Sequence, residues 1–382
     1  MKLKICVVLT TRGNYAKMKS TMKAILACSE SDLQVIVGGG ILLTRYGDYP
    51  KLIEADGFRV DRRVDFLEEG DTLGAMTRSA GLATIKMGTA FEELQPDVVL
   101  VIADRYEALS IALAAVCMNI PIAHLEGGEV SGSIDESLRH AVTKLAHLHF
   151  PANREAADRI RRLGEPESSI VVVGSPSLDL LVALDLTDLS VLDRAQQLDG
   201  EGGMVDFKRD YVVVSQHPVV TEYERGLHHL HETALAIEEL GMPTVWLWPN
   251  MDAGAEEVTQ AVRDFCARHP GIHHFKSLPM ESYAVLLKNA KCLIGNSSSG
   301  IRESEFLGVP VVNVGTRQEG RLRGKNVRDV PYEKTAILSA IREQIAHGPY
   351  RPEHLYGDGR AGEKIAKTLV EYDFRVQKRI TY

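Results

Sequence analysis

The sequence predicts an α/β protein built from two doubly wound domains, and three observations support this prediction. Short apolar runs rich in Val, Ile and Leu recur along the chain, and each run is followed by a helical pattern. Runs that are apolar on both faces are typical of parallel strands buried between two layers of helices. The 382 residues suffice for two domains of about 160 to 200 residues each.

The predicted strands form two groups of four. Those of the first half are KICVVLT, LQVIVGG, DVVLVIAD and IPIAHLEG, and those of the second half are YVVVSQHP, TVWLWPN, KCLIGNS and VPVVNVG. A further strand is predicted to end at the Gly-Ser-Pro of IVVVGSPSLDLL, which marks the domain boundary. We therefore expect an N-terminal domain over 1–172, a C-terminal domain over 173–360, and a helix within 361–382 that packs back on the first domain. The polar segment 198–210 is predicted to be a surface loop.

Composition excludes several classes of protein. A formal net charge of -8 argues against a general nucleic-acid binder, because such binding depends on neutralising phosphates. The five cysteines are scattered and include no CxxC pair, which favours free thiols in a reducing cytoplasm. The apolar run at the N-terminus is too short for a signal sequence, and no run approaches the length of a membrane span. We expect a cytoplasmic protein that binds neither nucleic acid nor membranes.

The residues that follow the predicted strands are the first candidates for a ligand site. In open α/β sheets, ligands bind beyond the carboxyl ends of the strands, and two sheets facing each other across a cleft would bring such ends together. The residues at these positions are Arg12, Asp104, Arg105, Glu126, His217, Asn250 and the segment 296–300.

The segment GNSSSGIRESEFLG, residues 295–308, has the composition of an anion site. Exposed backbone N–H groups, serine hydroxyls and the start of a helix together bind phosphate well, although a serine-capped turn is an equally ordinary interpretation. Glu303, one turn into the predicted helix, is suited to accept hydrogen bonds from ribose hydroxyls. Arg317 and Arg321, one strand further on, are suited to pair with a diphosphate.

His217 stands between a strand and Pro218, so the bend directs its imidazole away from the sheet. A histidine there can donate to a phosphate or act as a general acid. The alternative is a hydrogen-bonded loop histidine without a chemical role.

Two carboxylates are predicted to share the first-half site. Asp104 precedes a helix and is also a candidate helix cap, whereas Glu126 follows a strand where no helix begins. The adjacent Gly127 and Gly128 allow the backbone to turn close to a ligand. Paired carboxylates suit acid–base chemistry at a sugar.

The segment 133–145 predicts an amphipathic helix. Ser133 and Glu136 have the spacing of a capping box, and the apolar face is formed by Ile134, Leu138, Ala141, Val142 and Leu145. Asp135 lies in the first turn, where it either caps the helix or faces the cleft. The nearby His147 and His149 share one face of a presumed strand, but no metal motif accompanies them.

Taken together, these motifs resemble the hydrolysing UDP-N-acetylglucosamine 2-epimerases, the family of the bacterial sialic-acid-pathway enzyme and of the epimerase half of the animal bifunctional enzyme. The matching segments, in the family's order, are TTRGNYAK, ADRYE, HLEGGEVSGSIDESLRHAVTKLAHLHF, GSPSLD, QHPVVTE, PNMDAG, GNSSSGIRE and GTRQEGR. They span most of the chain. The resemblance implies a glycosyltransferase-B-like fold, in which two Rossmann-like domains face a nucleotide-sugar cleft.

The resemblance also implies roles for individual residues. Asp104, Glu126 and Asp135 match the carboxylates implicated in catalysis, and His217 matches the histidine at the diphosphate. The positions that match substrate-binding residues are Arg12, Lys17, Arg105, His124, Asn250, Ser297, Ser298, Ser299, Gly300, Glu303, Arg317 and Arg321. The expected chemistry needs no metal or redox cofactor, and the expected assembly is a homodimer or a homotetramer.

The sequence departs from the family pattern at the sugar-facing side. Ile41 stands where a histidine is usual, Ala103 where the family has glycine, Asn14 where it has an acid, and Ala16 where serine is frequent. These departures bear on the identity of the sugar more than on the class of reaction.

The expected reaction is elimination of UDP from a UDP-2-acetamido sugar, followed by hydration to the free C2-inverted sugar. Either Asp104 or Glu126 is the base, and Asp135 is the third carboxylate. Three alternatives stay open: a non-hydrolysing epimerase that returns UDP-N-acetylmannosamine, a retaining glycosyltransferase on the same fold, and a nucleotide-sugar-binding module without activity.

Overall fold

The computed structural model describes residues 2–44, 47–70, 72–102, 105–249, 255–276 and 278–381. The chain divides into two compact units. Unit 1 comprises Met1–Glu129, Ile134–Asp179 and Tyr356–Tyr382, and unit 2 comprises Val130–Ser133 and Leu180–Leu355. The domain limits expected from the sequence stay a prediction, because contacts within one chain do not show which parts fold alone.

Each unit contains one sheet. The strands of unit 1 are β1 (Leu3–Leu9), β2 (Ser31–Gly38), β3 (Arg62–Val64), β4 (Val98–Ile102), β5 (Ile122–Leu125) and β6 (Leu148–Phe150). The strands of unit 2 are β7 (Gly200–Gly202), β8 (Val212–Ser215), β9 (Thr244–Leu247), β10 (Ile272–Phe275), β11 (Leu293–Gly295), β12 (Val311–Val314) and β13 (Val327–Val330). Every one of the eight apolar runs named above contains a strand, so this part of the prediction is confirmed.

Helices alternate with the strands. They are α1 (Arg12–Ala27), α2 (Tyr49–Ala55), α3 (Leu73–Leu94), α4 (Tyr106–Cys117), α5 (Asp135–Leu145), α6 (Arg154–Arg162), α7 (Asp179–Ala183), α8 (Ser190–Asp199), α9 (Gly226–Leu240), α10 (Ala255–Arg268), α11 (Met280–Asn289), α12 (Glu303–Leu307), α13 (Lys334–His347) and α14 (Ala361–Glu371). Within the described ranges, no helix combines the length and apolarity that crossing a lipid bilayer requires.

The sheet of unit 1 is wholly parallel, with strand order β3-β2-β1-β4-β5-β6. One apolar cluster covers one side of it and a second cluster covers the other, so the central strands are buried on both faces. This burial explains why β1 and β4 are near-continuous apolar runs in the sequence. The strand order reverses between β1 and β4, which is where such sheets bind ligands.

The sheet of unit 2 has the order β13-β12-β11-β8-β9-β10-β7. Its six parallel strands repeat the topology of unit 1, with the reversal between β8 and β11, and β7 adds an antiparallel edge next to β10. The surface loop predicted over 198–210 is therefore wrong in part. A β-carbon at 200 would lie 1.8 Å from the imidazole Nε2 of the buried His273, so a larger residue there would have to displace this ring. A short glycine-rich edge strand lacks the apolar pattern that identifies strands.

The strand predicted before Gly174 is also wrong. This segment makes one isolated parallel bridge, between His149 and Ile170, and Val172 is 44% exposed. The backbone of this segment does donate to the carbonyls of His149, from Val171 at 2.9 Å, and of Pro151, from Val173 at 3.2 Å, but these contacts form no continuous strand ladder.

The C-terminal helix α14 belongs to unit 1 and packs on α1. Ile365 and Leu369 join the apolar cluster that contains Met18 and Met22. The carboxylate of Asp179 caps α14 by accepting hydrogen bonds from the first two backbone N–H groups of the helix, at 2.9 and 2.7 Å.

A buried cluster of charges ties the last residues of the chain to unit 1. Glu165 is 1% exposed, and its carboxylate accepts hydrogen bonds from Lys144, from Lys378 at 2.7 Å and from His149 Nε2 at 3.2 Å. Burial by itself would raise the pKa of Glu165, but these donors together hold it at about 2. Burial lowers the pKa of His149. The two lysines therefore supply the positive charge at this carboxylate.

Candidate active site

The carboxyl end of β1 leads directly into α1. Thr11 caps the helix, and the side-chain oxygen of Asn14 accepts hydrogen bonds from the Thr10 hydroxyl at 2.8 Å and from the backbone N–H groups of Thr10 and Thr11. Arg12 is the first helical residue and is half-buried. Asn14, a departure from the family pattern, thus still supplies the acceptor oxygen that a carboxylate would supply at this cap.

Glu126 follows β5 and is the most constrained of the candidate acids. Its backbone has a φ of +59°, which non-glycine residues seldom adopt, and its N–H donates to the carbonyl of Phe150 at 3.0 Å. The side chain is buried, with Lys17 Nζ 2.9 Å from Oε2 and the Ser175 hydroxyl donating to Oε1 at 2.7 Å. A cation and a hydroxyl donor both stabilise the ionised carboxylate. Lys17, expected to bind substrate, is thus placed on Glu126.

His124 lies in the interior of unit 1. It is fully buried, and its Nδ1 is 3.2 Å from the hydroxyl of Thr143. That hydroxyl already donates to the carbonyl of Arg139 at 3.0 Å, so it accepts from the imidazole Nδ1–H. Gly127 covers the ring, since a β-carbon at 127 would lie 2.8 Å from His124 Nδ1. The structure therefore places His124 behind the turn that carries Glu126.

Asp135 is the first residue of α5, in the first turn as predicted. The helix is assigned from Asp135, but Ile134 already has helical backbone angles, with φ of -56° and ψ of -23°, so the predicted capping box of Ser133 and Glu136 stays a prediction. An ionised Asp135 in the first turn is favoured by the helix dipole.

The buried face of α5 also differs from the prediction. Ile134 is 39% exposed, whereas Arg139 is buried. Arg139 Nη1 donates to the backbone carbonyl of Glu129 at 2.8 Å. A buried carbonyl needs a hydrogen-bond donor, and Arg139 supplies one here. A prediction from apolar periodicity could not find this buried position, because its side chain is charged.

The carboxyl end of β4 carries Arg105. Asp104, a predicted catalytic residue, lies outside the described residues. Arg105 precedes α4, and its guanidinium pairs with Glu107 at 3.1 Å. Glu107 is 2% exposed, so Arg105 is anchored on a buried carboxylate at the strand end.

In unit 2, His217 and Asn296 are joined where the strand order reverses. The backbone N–H of His217 donates to Asn296 Oδ1 at 2.7 Å, and Asn296 Nδ2 donates to the carbonyl of His217 at 2.9 Å. Gly295 permits this approach, because its φ is +125° and a β-carbon would lie 2.2 Å from the carbonyl oxygen of Ser215. His217 is thereby fixed at the carboxyl end of β8.

The serine-rich turn after β11 is held by its own hydroxyls. Ser297 caps a short 3-10 helix over Ser298–Gly300, and its hydroxyl lies 2.9 Å from that of Ser299. The phenol of Tyr283 is hydrogen-bonded to the Ser299 hydroxyl, and burial raises the pKa of this tyrosine. Ser299 is therefore part of the turn's support, while Ser297 and Ser298 are half-buried. Asn250, also predicted to bind substrate, lies outside the described residues.

Glu303 opens α12 and is 5% exposed. Among the residues that the structure describes, none donates a hydrogen bond to its Oε2. Leaving a buried carboxylate oxygen without a donor costs about 1–3 kcal/mol or more, so such an atom suggests a ligand that donates to it.

The two predicted diphosphate arginines have different surroundings. Arg317 Nη1 donates to the backbone carbonyl of Asn296 at 3.1 Å, next to the serine turn. Arg321 is buried, donates to Gln318 Oε1 at 2.9 Å and contacts the carbonyl of Val130 at 3.4 Å. Arg321 therefore supports the loop that carries Arg317.

The segment Val130–Ser133 packs against this loop within unit 2. The N–H of Gly132 donates to the carbonyl of Arg317 at 3.2 Å. A β-carbon at 132 would lie 2.0 Å from the carbonyl oxygen of Thr316, so only glycine allows this contact.

Ser175, which the sequence did not single out as a site residue, supports Glu126, and Asn296, a predicted strand-end residue, supports His217. The signal for Ser175 in the sequence is its place in GSPSLD, one of the segments that match the resembled family. Within the described ranges, no three His, Cys, Asp or Glu side chains are arranged as a metal site.

Comparisons with known proteins agree with this architecture. The chain is 32% identical over 366 residues to the UDP-N,N'-diacetylbacillosamine 2-epimerase (hydrolyzing) of Legionella pneumophila, covering 96% of this chain and 95% of the relative. It is 31% identical over 372 residues to the UDP-N-acetylglucosamine 2-epimerase of Neisseria meningitidis, covering 97% of this chain and 95% of the relative.

Among solved structures, the UDP-GlcNAc 2-epimerase of Methanocaldococcus jannaschii in complex with UDP-GlcNAc and UDP superposes with a TM-score of 0.82 at 19% identity. The match covers 97% of this chain and 100% of that chain, which confirms the predicted glycosyltransferase-B-like fold class. The family model described as UDP-N-acetylglucosamine 2-epimerase matches residues 23–370. The chain therefore belongs to the UDP-N-acetylglucosamine 2-epimerase family.

Proposed function

We propose that this protein is a hydrolysing 2-epimerase. It converts UDP-N-acetylglucosamine, or a closely related UDP-2-acetamido sugar, into UDP and the free C2-inverted sugar. The observation that carries the proposal is Glu126, a buried carboxylate that Lys17 and Ser175 stabilise in its ionised form at a strand end. The Legionella relative, whose name includes the hydrolysing activity, supports the same branch.

The first step is elimination. The C2–H is not acidified by a carbonyl, so the C1–O bond breaks ahead of proton loss, and its electron pair leaves with UDP. Positive charge then develops at C1, where an ionised carboxylate stabilises it. Asp104 or Glu126 accepts the C2 proton, and a C1–C2 double bond forms in the 2-acetamidoglycal.

The second step is hydration. Water adds a hydroxyl group to C1, and a proton is delivered to C2 from the face opposite to the one that lost it. Asp135, a third carboxylate at a helix start, is suited to donate this proton or to activate the water. The products are UDP and a sugar inverted at C2, so the balance needs only water.

Unit 2 supplies the nucleotide contacts in this proposal. His217, Ser297, Ser298 and Arg317 bind the diphosphate and stabilise its charge as it leaves. Glu303 Oε2 accepts a hydrogen bond from a ribose hydroxyl, which gives this buried oxygen its donor.

Glu303→Gln tests the ribose contact. We expect the Kd of UDP, measured by calorimetry, to rise about tenfold, because a hydrogen bond to a charged acceptor contributes about 1.5–3 kcal/mol. The control is 2′-deoxy-UDP together with 3′-deoxy-UDP. Wild type should discriminate against at least one of them, and the variant should discriminate much less. Equal discrimination by both proteins would remove Glu303 from the ribose site.

Gly132→Ala tests the support of the Arg317 loop. The added methyl must move Val130–Ser133 away from Thr316, so we expect the Kd of UDP to rise about fivefold, close to 1 kcal/mol. Gly81→Ala on α3 is the matched control, because a β-carbon there meets no atom within 4 Å and UDP binding should not change. Unaltered binding in Gly132→Ala would show that this contact does not support the nucleotide site.

Product identity tests the proposed function. Purified protein is incubated with UDP-N-acetylglucosamine, and nucleotide and sugar products are separated by chromatography. UDP and free N-acetylmannosamine in equal amounts are the expected result. Formation of UDP-N-acetylmannosamine would instead assign the non-hydrolysing reaction. Turnover that occurs only with an added acceptor would indicate a glycosyltransferase. UDP binding without turnover of any 2-acetamido nucleotide sugar would indicate a binding module.

UDP-N,N'-diacetylbacillosamine is a second candidate substrate, and one observation favours it. Ile41 is 1% exposed and joins the apolar cluster beside β1 and β2, at a position where the resembled family has a histidine. A 6-deoxy sugar presents a methyl group instead of a hydroxyl, and replacing a histidine by a buried isoleucine makes this region less polar, which suits such a sugar better; the Legionella relative is named for this substrate. The ratio of kcat/KM values for the two nucleotide sugars decides between them.

A further inference from the structure

We infer that Ser175 is a positioning residue that fixes the orientation of the Glu126 carboxylate. The inference rests on the proposed function, in which Glu126 faces the reacting sugar. The sequence does not show the contact between these two residues, because they are 49 positions apart and meet only in the folded unit.

The hydroxyl of Ser175 lies in a directed chain of hydrogen bonds. Ser175 is 1% exposed and donates to Glu126 Oε1 at 2.7 Å. Its oxygen lies 2.9 Å from the hydroxyl of Ser177, which is equally buried. Since the single proton of Ser175 is committed to an acceptor-only carboxylate, Ser177 is the donor to Ser175.

The backbone of Ser175 is itself held in place. Its N–H donates to the carbonyl of Tyr356 at 2.7 Å, within the segment that returns the chain to unit 1. The preceding Gly174 has a φ of +94°, and a β-carbon there would lie 3.0 Å from the Tyr356 carbonyl oxygen and 3.1 Å from the α-carbon of Gly357. Pro176 follows and restricts the next φ. Ser175 is therefore a fixed point to which the carboxylate is attached.

The two donors at Glu126 have different consequences. Lys17 Nζ is a flexible point charge on Oε2, and a lysine can follow a carboxylate through a range of orientations. Ser175 engages the other oxygen from a rigid backbone, so its contact restricts the plane of the carboxylate in a way that the flexible lysine does not. Without Ser175, Glu126 keeps its charge partner, but it loses one donor and its fixed plane.

The test compares Ser175→Ala and Ser175→Cys with wild type and with Ser169→Ala. Ser169 is a matched control because its hydroxyl is also 1% exposed in unit 1 and donates to a backbone carbonyl, that of Pro166. For Ser175→Ala we expect kcat to fall about tenfold with KM within about twofold, as for loss of an interaction made in the transition state. Ser175→Cys, which has a weaker donor of similar shape, should have an intermediate kcat, and Ser169→Ala should have the kcat of wild type.

The pH profile separates positioning from general damage. Because a donor to the ionised carboxylate is lost, the acid limb of kcat should move to higher pH by about one unit in Ser175→Ala. An unmoved acid limb with kcat within about twofold of wild type would overturn the inference while the proposed function stood. A fall of kcat that Ser169→Ala reproduces would overturn it as well. Absence of turnover by wild type would overturn the proposed function and, with it, this inference.

Discussion

Glu126→Gln is expected to abolish turnover almost completely while leaving UDP affinity within about threefold, under 1 kcal/mol. The amide keeps the shape of the side chain but carries no negative charge, so it cannot stabilise the positive charge at C1 or accept the C2 proton. Lys17, whose Nζ lies 2.9 Å from this carboxylate, would then lose the negative charge that pairs with it. We expect kcat/KM to fall by about a thousandfold or more, the size of effect seen when a preorganised charge is removed.

Glu136→Gln is the control for this variant. Glu136 lies in the first turn of α5 and its side chain is 39% exposed, so its neutralisation should change kcat by less than about twofold. UDP affinity is measured by calorimetry in both variants, which separates loss of chemistry from loss of fold. Glu126→Gln with near-wild-type kcat would exclude Glu126 from the reaction.

Glu165→Gln is expected to have the largest effect on stability. The variant leaves Lys144 and Lys378, whose side chains are 37% and 25% exposed, without the buried carboxylate that they share, so the cost should lie at the lower end of the about 3–5 kcal/mol for removing one partner of a buried ion pair. We expect the free energy of unfolding at pH 7, from urea titration followed by circular dichroism, to fall by about 3 kcal/mol. Glu167→Gln is the control, because Glu167 is an exposed partner of Arg161 and should give no measurable change.

The same carboxylate makes stability depend on pH. Its pKa of about 2 in the folded chain lies below the usual 4.5, so the unfolded chain binds the proton more readily. The contribution of Glu165 is therefore complete above about pH 5 and is lost as the pH falls toward 2. The difference in unfolding free energy between wild type and Glu165→Gln should shrink steadily on acidification. A difference that is constant from pH 7 to pH 3 would contradict this account of the cluster.

The central strands could be predicted from the sequence because burial on both faces leaves a pattern within the strand itself. β1, β4, β8 and β12 are such runs. The strands β7 and β13 could not be predicted in this way. The glycine-rich β7 (Gly200–Gly202) is a strand only because it pairs with β10, and β13 (Val327–Val330) has only half-buried and exposed positions. Strand pairing between segments that are distant in the chain leaves no periodic pattern in the sequence of either segment.

For the candidate site too, some features could be predicted from local sequence and others could not. Topology placed Glu126 and His217 at strand ends, so their positions could be predicted. The contacts of Glu126 with Ser175 and of His217 with Asn296 could not be predicted, since these pairs are 49 and 79 residues apart in the sequence. The burial of Arg139 on α5 could not be predicted for a similar reason. Arg139 donates a hydrogen bond to the backbone carbonyl of Glu129, and the apolar pattern of the helix does not reveal this contact.

The most direct test of the account is the reaction of UDP-N-acetylglucosamine in D₂O, followed by proton NMR. The account predicts free N-acetylmannosamine with deuterium at C2, formed together with UDP, because the C2 proton is removed and a solvent deuteron is returned on the other face. Free sugar that retains its C2 proton would contradict elimination through a 2-acetamidoglycal, and UDP-N-acetylmannosamine as the sole product would contradict hydrolysis.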